Sequence, residues 1–157
     1  MKQEERDSHW MEMAIHEAIA AAEKGEVPVG AVLVRDNSLI ARAGNAPIST
    51  NDPTGHAEIL TLRKAGNLES NYRLPRTTLY VTLEPCLMCC AALIHARVQR
   101  VVFGAADPKT GALVSKYSIG SDGMLNHTFE ICGGVLEKRC AKLLKEFFAA
   151  KRKTSQL

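Results

Sequence analysis

Nowhere in the 157 residues does an apolar run approach the roughly 20 needed to cross a bilayer, so no membrane span is expected. The opening residues, Met1 to Ser8, lack the apolar stretch of a secretory signal, and a cytoplasmic protein is the expectation. Aromatic residues are scarce at 5%, which argues against a surface built mainly from stacking platforms for bases. There is no low-complexity linker and no internal repeat. The cysteines number five, an odd count without a leader, which argues against a disulfide framework and for metal ligands or reactive thiols. Net charge is only +3 and by itself says little about nucleic acid.

What is present is an ordinary globular composition, 46% apolar and 24% charged. The length suits one domain over 1–157, with a core expected over about 8–151. A domain of roughly 150 residues buries about 70% of its unfolded surface, so it needs no staple. Trp10, Met13, Ala14, Ala18 and Ala21 recur at helical spacing and predict a helix over 8–24, stopped by Gly25. The runs Val29–Val34 and Leu39–Ala43 flank Asp36-Asn37 and predict a hairpin. Residues 45–55 are rich in turn formers and read as an ordered loop. A helix is expected from near His56 to Gly66, a strand over Thr77–Thr82, a helix from Pro85 to about Ala96 and a strand over Val101–Phe103. The Gly-, Asp- and Ser-rich stretch 105–128 reads as loop with room for one short helix. A weak strand at 129–132 and a long helix from about Val135 to Ala150 complete the order. Helices alternating with strands predict a layered α/β domain, its mixed sheet covered on both faces.

Two short segments carry chemistry, and both are predicted helix starts, where ligands of such sheets usually sit. The first is His56-Ala57-Glu58; the second is Pro85-Cys86-Leu87-Met88-Cys89. Cysteines three apart share one face of a first turn, and the positive end of the helix dipole favours thiolates there. Two thiolates and an imidazole select zinc over magnesium or calcium, and three protein ligands leave a fourth position for water, as in a catalytic site. Thiolates cancel the charge of the ion, so a water there needs help to lose its proton, and Glu58 is the adjacent carboxylate. On an ideal helix positions 56 and 58 point about 200° apart, so His56 has to sit at an irregular helix start. A lone Cys-x-x-Cys is as readily a structural half-site or a redox pair, and a lone His-x-Glu carries little. The two together, in this order and separated by one strand, are far more specific. Elsewhere, 138–153 holds seven Lys or Arg against one acid, Glu146, which fits a solvated helix face as well as a polyanion contact.

The pair His-x-Glu and Pro-Cys-x-x-Cys is the signature of zinc-dependent base deaminases. The surrounding segments GEVPVGAVLV (25–34), NAPIS (45–49), NDPTGHAE (51–58), TLYVTLEPCLMC (78–89), ALIHARVQRVVFGAADPKTG (92–111) and LLKEFF (143–148) resemble bacterial tRNA-specific adenosine deaminases, from about Trp10 to Lys151. The resemblance implies a cytidine deaminase-like three-layer α/β/α sandwich with a five-stranded mixed sheet. It implies hydrolytic deamination of adenosine at the wobble position of a tRNA anticodon, giving inosine and ammonia, by a homodimer with one zinc per chain. Carried over residue by residue, His56, Cys86 and Cys89 match the zinc ligands and Glu58 the proton shuttle. Asn45 matches the asparagine that contacts the target nucleoside, and Asp107 lies in a loop resembling the one beside the bound nucleotide. Phe148, Lys151 and Arg152 match C-terminal helix positions near the anticodon stem-loop. Two residues depart from the pattern: Gly55 replaces the usual alanine, with a looser helix start as the expected effect, and Cys90 replaces a small residue. Cys90, Cys132 and Cys140 are expected to be buried spectators. The competing readings are a deaminase of a free guanine- or cytosine-type base or nucleoside, and a catalytically silent zinc and RNA-binding subunit. Glu58 speaks against the second, which would have no need of the carboxylate.

Overall fold

A computed structural model describes residues 1–155 of the chain. Its elements are α1 (Gln3–Glu23), β1 (Gly30–Arg35), β2 (Ser38–Gly44), α2 (Ala57–Glu69), β3 (Thr78–Leu83), α3 (Leu87–His95), β4 (Arg100–Ala105), β5 (Glu130–Cys132) and α4 (Glu137–Ser155). The five strands form one sheet in the order β2-β1-β3-β4-β5. β1 runs antiparallel to β2 and to β3, while β3, β4 and β5 are mutually parallel, so the sheet is mixed as expected. Alternate residues point to opposite faces, and each face has its own core. Ala31, Leu33, Leu79, Val81, Val101 and Phe103 pack against Ala57, Ala65, Leu93 and Ile94 of α2 and α3. Val32, Val34, Tyr80 and Val102 pack against Trp10, Met11, Ala14, Ile15 and Cys140 of α1 and α4. The result is an α/β/α three-layer sandwich, and central β3 is buried along most of its length.

The hairpin turn lies at Asp36-Asn37, both with positive φ (51° and 57°), the backbone of a type I′ turn. Five features differ from the sequence reading. Helix α1 starts at Gln3 rather than residue 8; its first turn is polar, with Glu4 and Glu5 at the dipole's positive end, so hydrophobic periodicity misses it. Helix α2 runs through Gly66 and ends instead at Ser70, a left-handed cap whose N–H donates to the Gly66 carbonyl. Pro85 precedes the N-cap of α3 instead of opening the helix. The 105–128 stretch contains turns and no helix. Helix α4 continues five residues past Ala150. Among the described residues no helix is long and apolar enough to cross a membrane.

One polar network crosses the α1 face. Asp7, 4% exposed, accepts hydrogen bonds from the Tyr80 hydroxyl (2.8 Å), from Gln3 (2.9 Å) and from both terminal nitrogens of Arg100 (2.8 Å each). Arg100 reaches on to Glu130, so one guanidinium ties α1 and β3 to the thin edge strand β5. Burial pushes the Asp7 carboxyl up, but Arg100, Tyr80 and Gln3 outweigh it and hold the group below the usual carboxylate range. Asp7→Ala strands Arg100 and is expected to cost about 3 kcal/mol in urea unfolding. A carboxyl depressed in the folded state stabilises fully above its unfolded pKa and loses that contribution as pH falls through the folded one. The gap between wild type and Asp7→Ala is therefore expected to be full at neutral pH and to close below pH ~4.

Candidate metal and active site

Strand β3 delivers its last residues to the same end of the sheet at which α2 and α3 begin. His56 is the N-cap of α2 and Cys86 the N-cap of α3; both are extended (ψ 152° and 176°), and neither side chain caps its own helix. An N-cap side chain normally accepts from the N–H groups of the first turn. Here both are turned toward each other. His56 Nδ1 lies 3.6 Å from Cys86 Sγ and 3.5 Å from Cys89 Sγ. The ligand atoms of His56, Cys86 and Cys89 all fall within 4.8 Å of one another, the one such triad among the described residues. A metal ion can be held there by three protein atoms, with His95 and His127 elsewhere: His95 lines a separate groove and His127 bonds the Val98 carbonyl.

Because His56 precedes the helix, the 200° separation from Glu58 disappears. Glu58 occupies the second position of α2, 4% exposed, and its carboxylate faces the same cavity as the His56 ring. Burial pushes this carboxyl up to about 7, with the Cys86 thiolate adding to the shift. A hydrogen bond from the Cys89 thiol, aided by His56 and opposed by burial, holds Cys86 down to about 4. The same pairing drives the Cys89 thiol upward. Hydrogen bonding to Cys86 raises His56. The site thus keeps a thiolate beside a carboxyl poised to exchange a proton near neutrality.

The cavity measures about 210 Å³ and is lined by Val27, Val29, Asn45, His56, Glu58, Leu83, Glu84, Cys86, Asp107 and Thr110. That is small beside the roughly 300–1,000 Å³ of sites for larger ligands, and suits one flat ring system. Asn45 Oδ1 accepts from the Ala57 N–H (3.1 Å), supplying from a distance the cap that His56 withholds. With its oxygen so engaged, the amide nitrogen of Asn45 is the group left to donate into the cavity. Asp107 spends its carboxylate on Lys109 N, Thr110 N and Thr110 Oγ1, which shapes its loop and holds its pKa low against burial. Phe148, Lys151 and Arg152 do not line the cavity; they sit toward the far end of α4, exposed. Gly55 is held in the turn that leads into α2. Its N–H donates to Asp52 and its carbonyl accepts from Ala46, and an added Cβ would come within 3.1–3.3 Å of Asp52, Thr50 and Pro47. Cys90 and Cys140 are buried, whereas Cys132 is only half-buried. Glu84, between β3 and the cysteine motif, is a further buried residue that spacing does not single out; the signal for it is a carboxylate directly after a buried central strand.

Comparison with known proteins agrees with this geometry. Residues 5–152 match the MafB19-like deaminase family. The tRNA-specific adenosine deaminase of Haemophilus influenzae is 46% identical over 154 residues, 98% of this chain and 89% of that protein. The chain belongs to the tRNA-specific adenosine deaminase family. The Bacillus subtilis tRNA-specific adenosine deaminase is 45% identical over 148 residues, 94% of this chain and 92% of its own length. A solved structure from work on A-to-I editing by tRNA:A34 deaminases superposes with a TM-score of 0.84, at 46% identity, covering 87% of this chain and 99% of that one. In this deaminase the metal triad is expected to behave as a unit. Metal analysis should find one ion per chain, lost in Cys86→Ser, Cys89→Ser and His56→Ala and kept in Cys90→Ser and Cys132→Ser.

Proposed function

We propose that the protein is a zinc-dependent hydrolase that converts adenosine to inosine at the wobble position of a tRNA anticodon, releasing ammonia, in the cytoplasm. The observation that carries this reading is the joint placement of the His56–Cys86–Cys89 triad, the buried Glu58 carboxyl and the Asn45 amide around one base-sized cavity. Zinc fits the donor set. Bonds of about 2.1 Å to nitrogen and 2.3 Å to sulfur at a tetrahedral angle separate the two donors by about 3.6 Å. The observed separations are 3.6 and 3.5 Å.

When bound, the ion supplies Lewis acidity that eases deprotonation of a water. The chain's own groups do the rest. Glu58 accepts the proton of the attacking water as the C6–O bond forms, and returns it to the departing amine as the C6–N bond breaks. A carboxyl pushed to about 7 suits both directions of that transfer. The Asn45 amide nitrogen donates to the substrate, and Val27, Val29 and Leu83 keep the ring in an apolar slot. A base inside an anticodon loop is already unpaired, so presenting it costs less than extraction from a duplex.

RNA contact is assigned to the end of α4. The last turns of α4 carry Lys151, Arg152 and Lys153 and no acid, a concentration of positive charge at one end of the helix. Phe148 is 43% exposed there beside Phe147, over which the Lys151 ammonium sits at 5.5 Å. The working unit is a homodimer. Its support is a groove of about 970 Å³ between α2, α3 and residues 70–74, lined by Ile59, Leu62, Tyr72, Leu74 and Ala92, an apolar face that a second copy would cover.

Glu58→Ala should fold and keep its metal while deamination of an anticodon stem-loop falls at least 10²-fold, about 10²–10⁴ being typical of general acid–base help. Inosine formation at the wild-type rate would make another group the shuttle, and equal turnover of free nucleosides would shift the assignment to a free-base enzyme. Neutralising Lys151, Arg152 and Lys153 should weaken stem-loop binding and flatten its salt dependence by roughly 0.7 per lost phosphate contact in a plot of log affinity against log salt. Parallel lines for wild type and variant would place those cations in solvent only.

A further inference from the structure

Two buried carboxylates have no part in the chemistry above: Glu84, which lines the cavity, and Glu26, which directly precedes the lining residue Val27. Glu26 is 1% exposed and Glu84 2%, and among the described residues no ion pair reaches either one. Each is instead held by neutral donors of a single loop. Glu26 accepts from Ile48 N (3.2 Å) and Ser49 N (2.8 Å). Glu84 accepts from Asp107 N (3.1 Å), Leu113 N (3.1 Å), Val114 N (2.9 Å) and Ser115 N (3.0 Å), and from the Ser115 hydroxyl. These backbone bonds, with Ser115, outweigh burial and keep both groups ionised, below the usual carboxylate range. At Gly111 the loop rests directly on the acid: a Cβ there would sit 2.4 Å from the Glu84 carboxyl carbon.

Both loops contribute to the cavity wall, the first through Asn45 and the second through Asp107 and Thr110. The 45–55 loop begins at Asn45 and ends against His56; the 107–115 loop begins at Asp107 and includes Thr110. An ionised carboxylate is a directional anchor, and a bond to a charged acceptor is shorter and stronger than one between neutral groups. Apolar packing would let either loop slide.

We propose that Glu26 and Glu84 are positioning residues that hold these two loop walls at the spacing the target nucleoside needs, so that the pocket is formed before the RNA arrives. The proposal rests on the deaminase reading for its substrate, not for its geometry. Glutamine at either position keeps the shape but replaces one acceptor oxygen with an amide NH2 donor that faces N–H donors. In Glu84→Gln the amides of 113–115 should lose hydrogen-exchange protection, and in Glu26→Gln those of 48–49, each leaving the other loop unchanged. Both variants should retain the metal. For an anticodon stem-loop assayed well below the melting temperature, KM should rise about 10-fold or more with kcat falling less than 3-fold, because a preformed pocket is lost before the proton shuttle is. A purely structural role would lower the melting temperature and leave KM alone. Should Glu84→Gln fail to fold, Ser115→Ala removes one donor and should show the same exchange and KM changes in weaker form. Unchanged exchange in Glu26→Gln and Ser115→Ala, or KM within 2-fold of wild type in both, overturns the proposal. If the wild type forms no inosine, the deaminase reading fails and the exchange pattern alone decides the positioning role.

Discussion

Two helices begin at one end of a sheet, and the side chains at their starts face each other instead of their own backbones. The convergence of His56 and Cys86 is the constraint on which the rest of the site depends. It follows from β3, the central strand, whose parallel pairing with β4 requires a crossover and so places the start of α3 at the strand's far end. The antiparallel hairpin of β1 and β2 on the other side brings residues 45–56 back to the same end. Neither segment reaches the other without the sheet between them. The positive ends of both helix dipoles then meet where two sulfurs and a carboxylate need stabilising.

Three glutamates in this small volume show how environment alone separates roles. Glu58 is buried against a thiolate, its charge is opposed, and it is raised toward neutrality. Glu26 and Glu84 are buried against backbone N–H groups, their charge is satisfied, and they are lowered. The first is suited to moving a proton and the other two to staying charged. Burial by itself does not decide between these outcomes; the donors that arrive with it do.

This difference also explains what the amino-acid sequence made legible. His56, Glu58, Cys86 and Cys89 are identifiable because ligand chemistry demands particular residue types at short spacing, and local spacing is visible along a chain. The layers and the hairpin were legible for the same reason, from hydrophobic period and from Asp36-Asn37. Glu26 and Glu84 meet their partners 22 to 31 residues away, across a fold that had first to exist. The early start of α1 rests on polar residues and a buried Asp7 that pairs with Arg100, 93 positions on. The passage of α2 through Gly66 reflects packing that outweighs a propensity cost of about 1 kcal/mol. The RNA contacts proposed for Phe148, Lys151 and Arg152 lie on an exposed surface that no periodicity marks.

The N-cap side chains of α2 and α3, turned away from their own helices, carry a consequence for divergence. Ser, Asp or Asn at position 86 would accept from the first-turn N–H groups and stabilise α3 by about 1 kcal/mol, and at position 56 by less, because Asn45 already accepts from the Ala57 N–H. On the proposed metal-binding role, His56 and Cys86 hold those positions against that pull because an ion gives them a use. A descendant freed from catalysis gains stability by replacing both, and one substitution already disables the triad. Decayed copies of this gene should therefore be recognisable by helix-capping residues at these two sites, in chains whose sheet and hairpin remain intact.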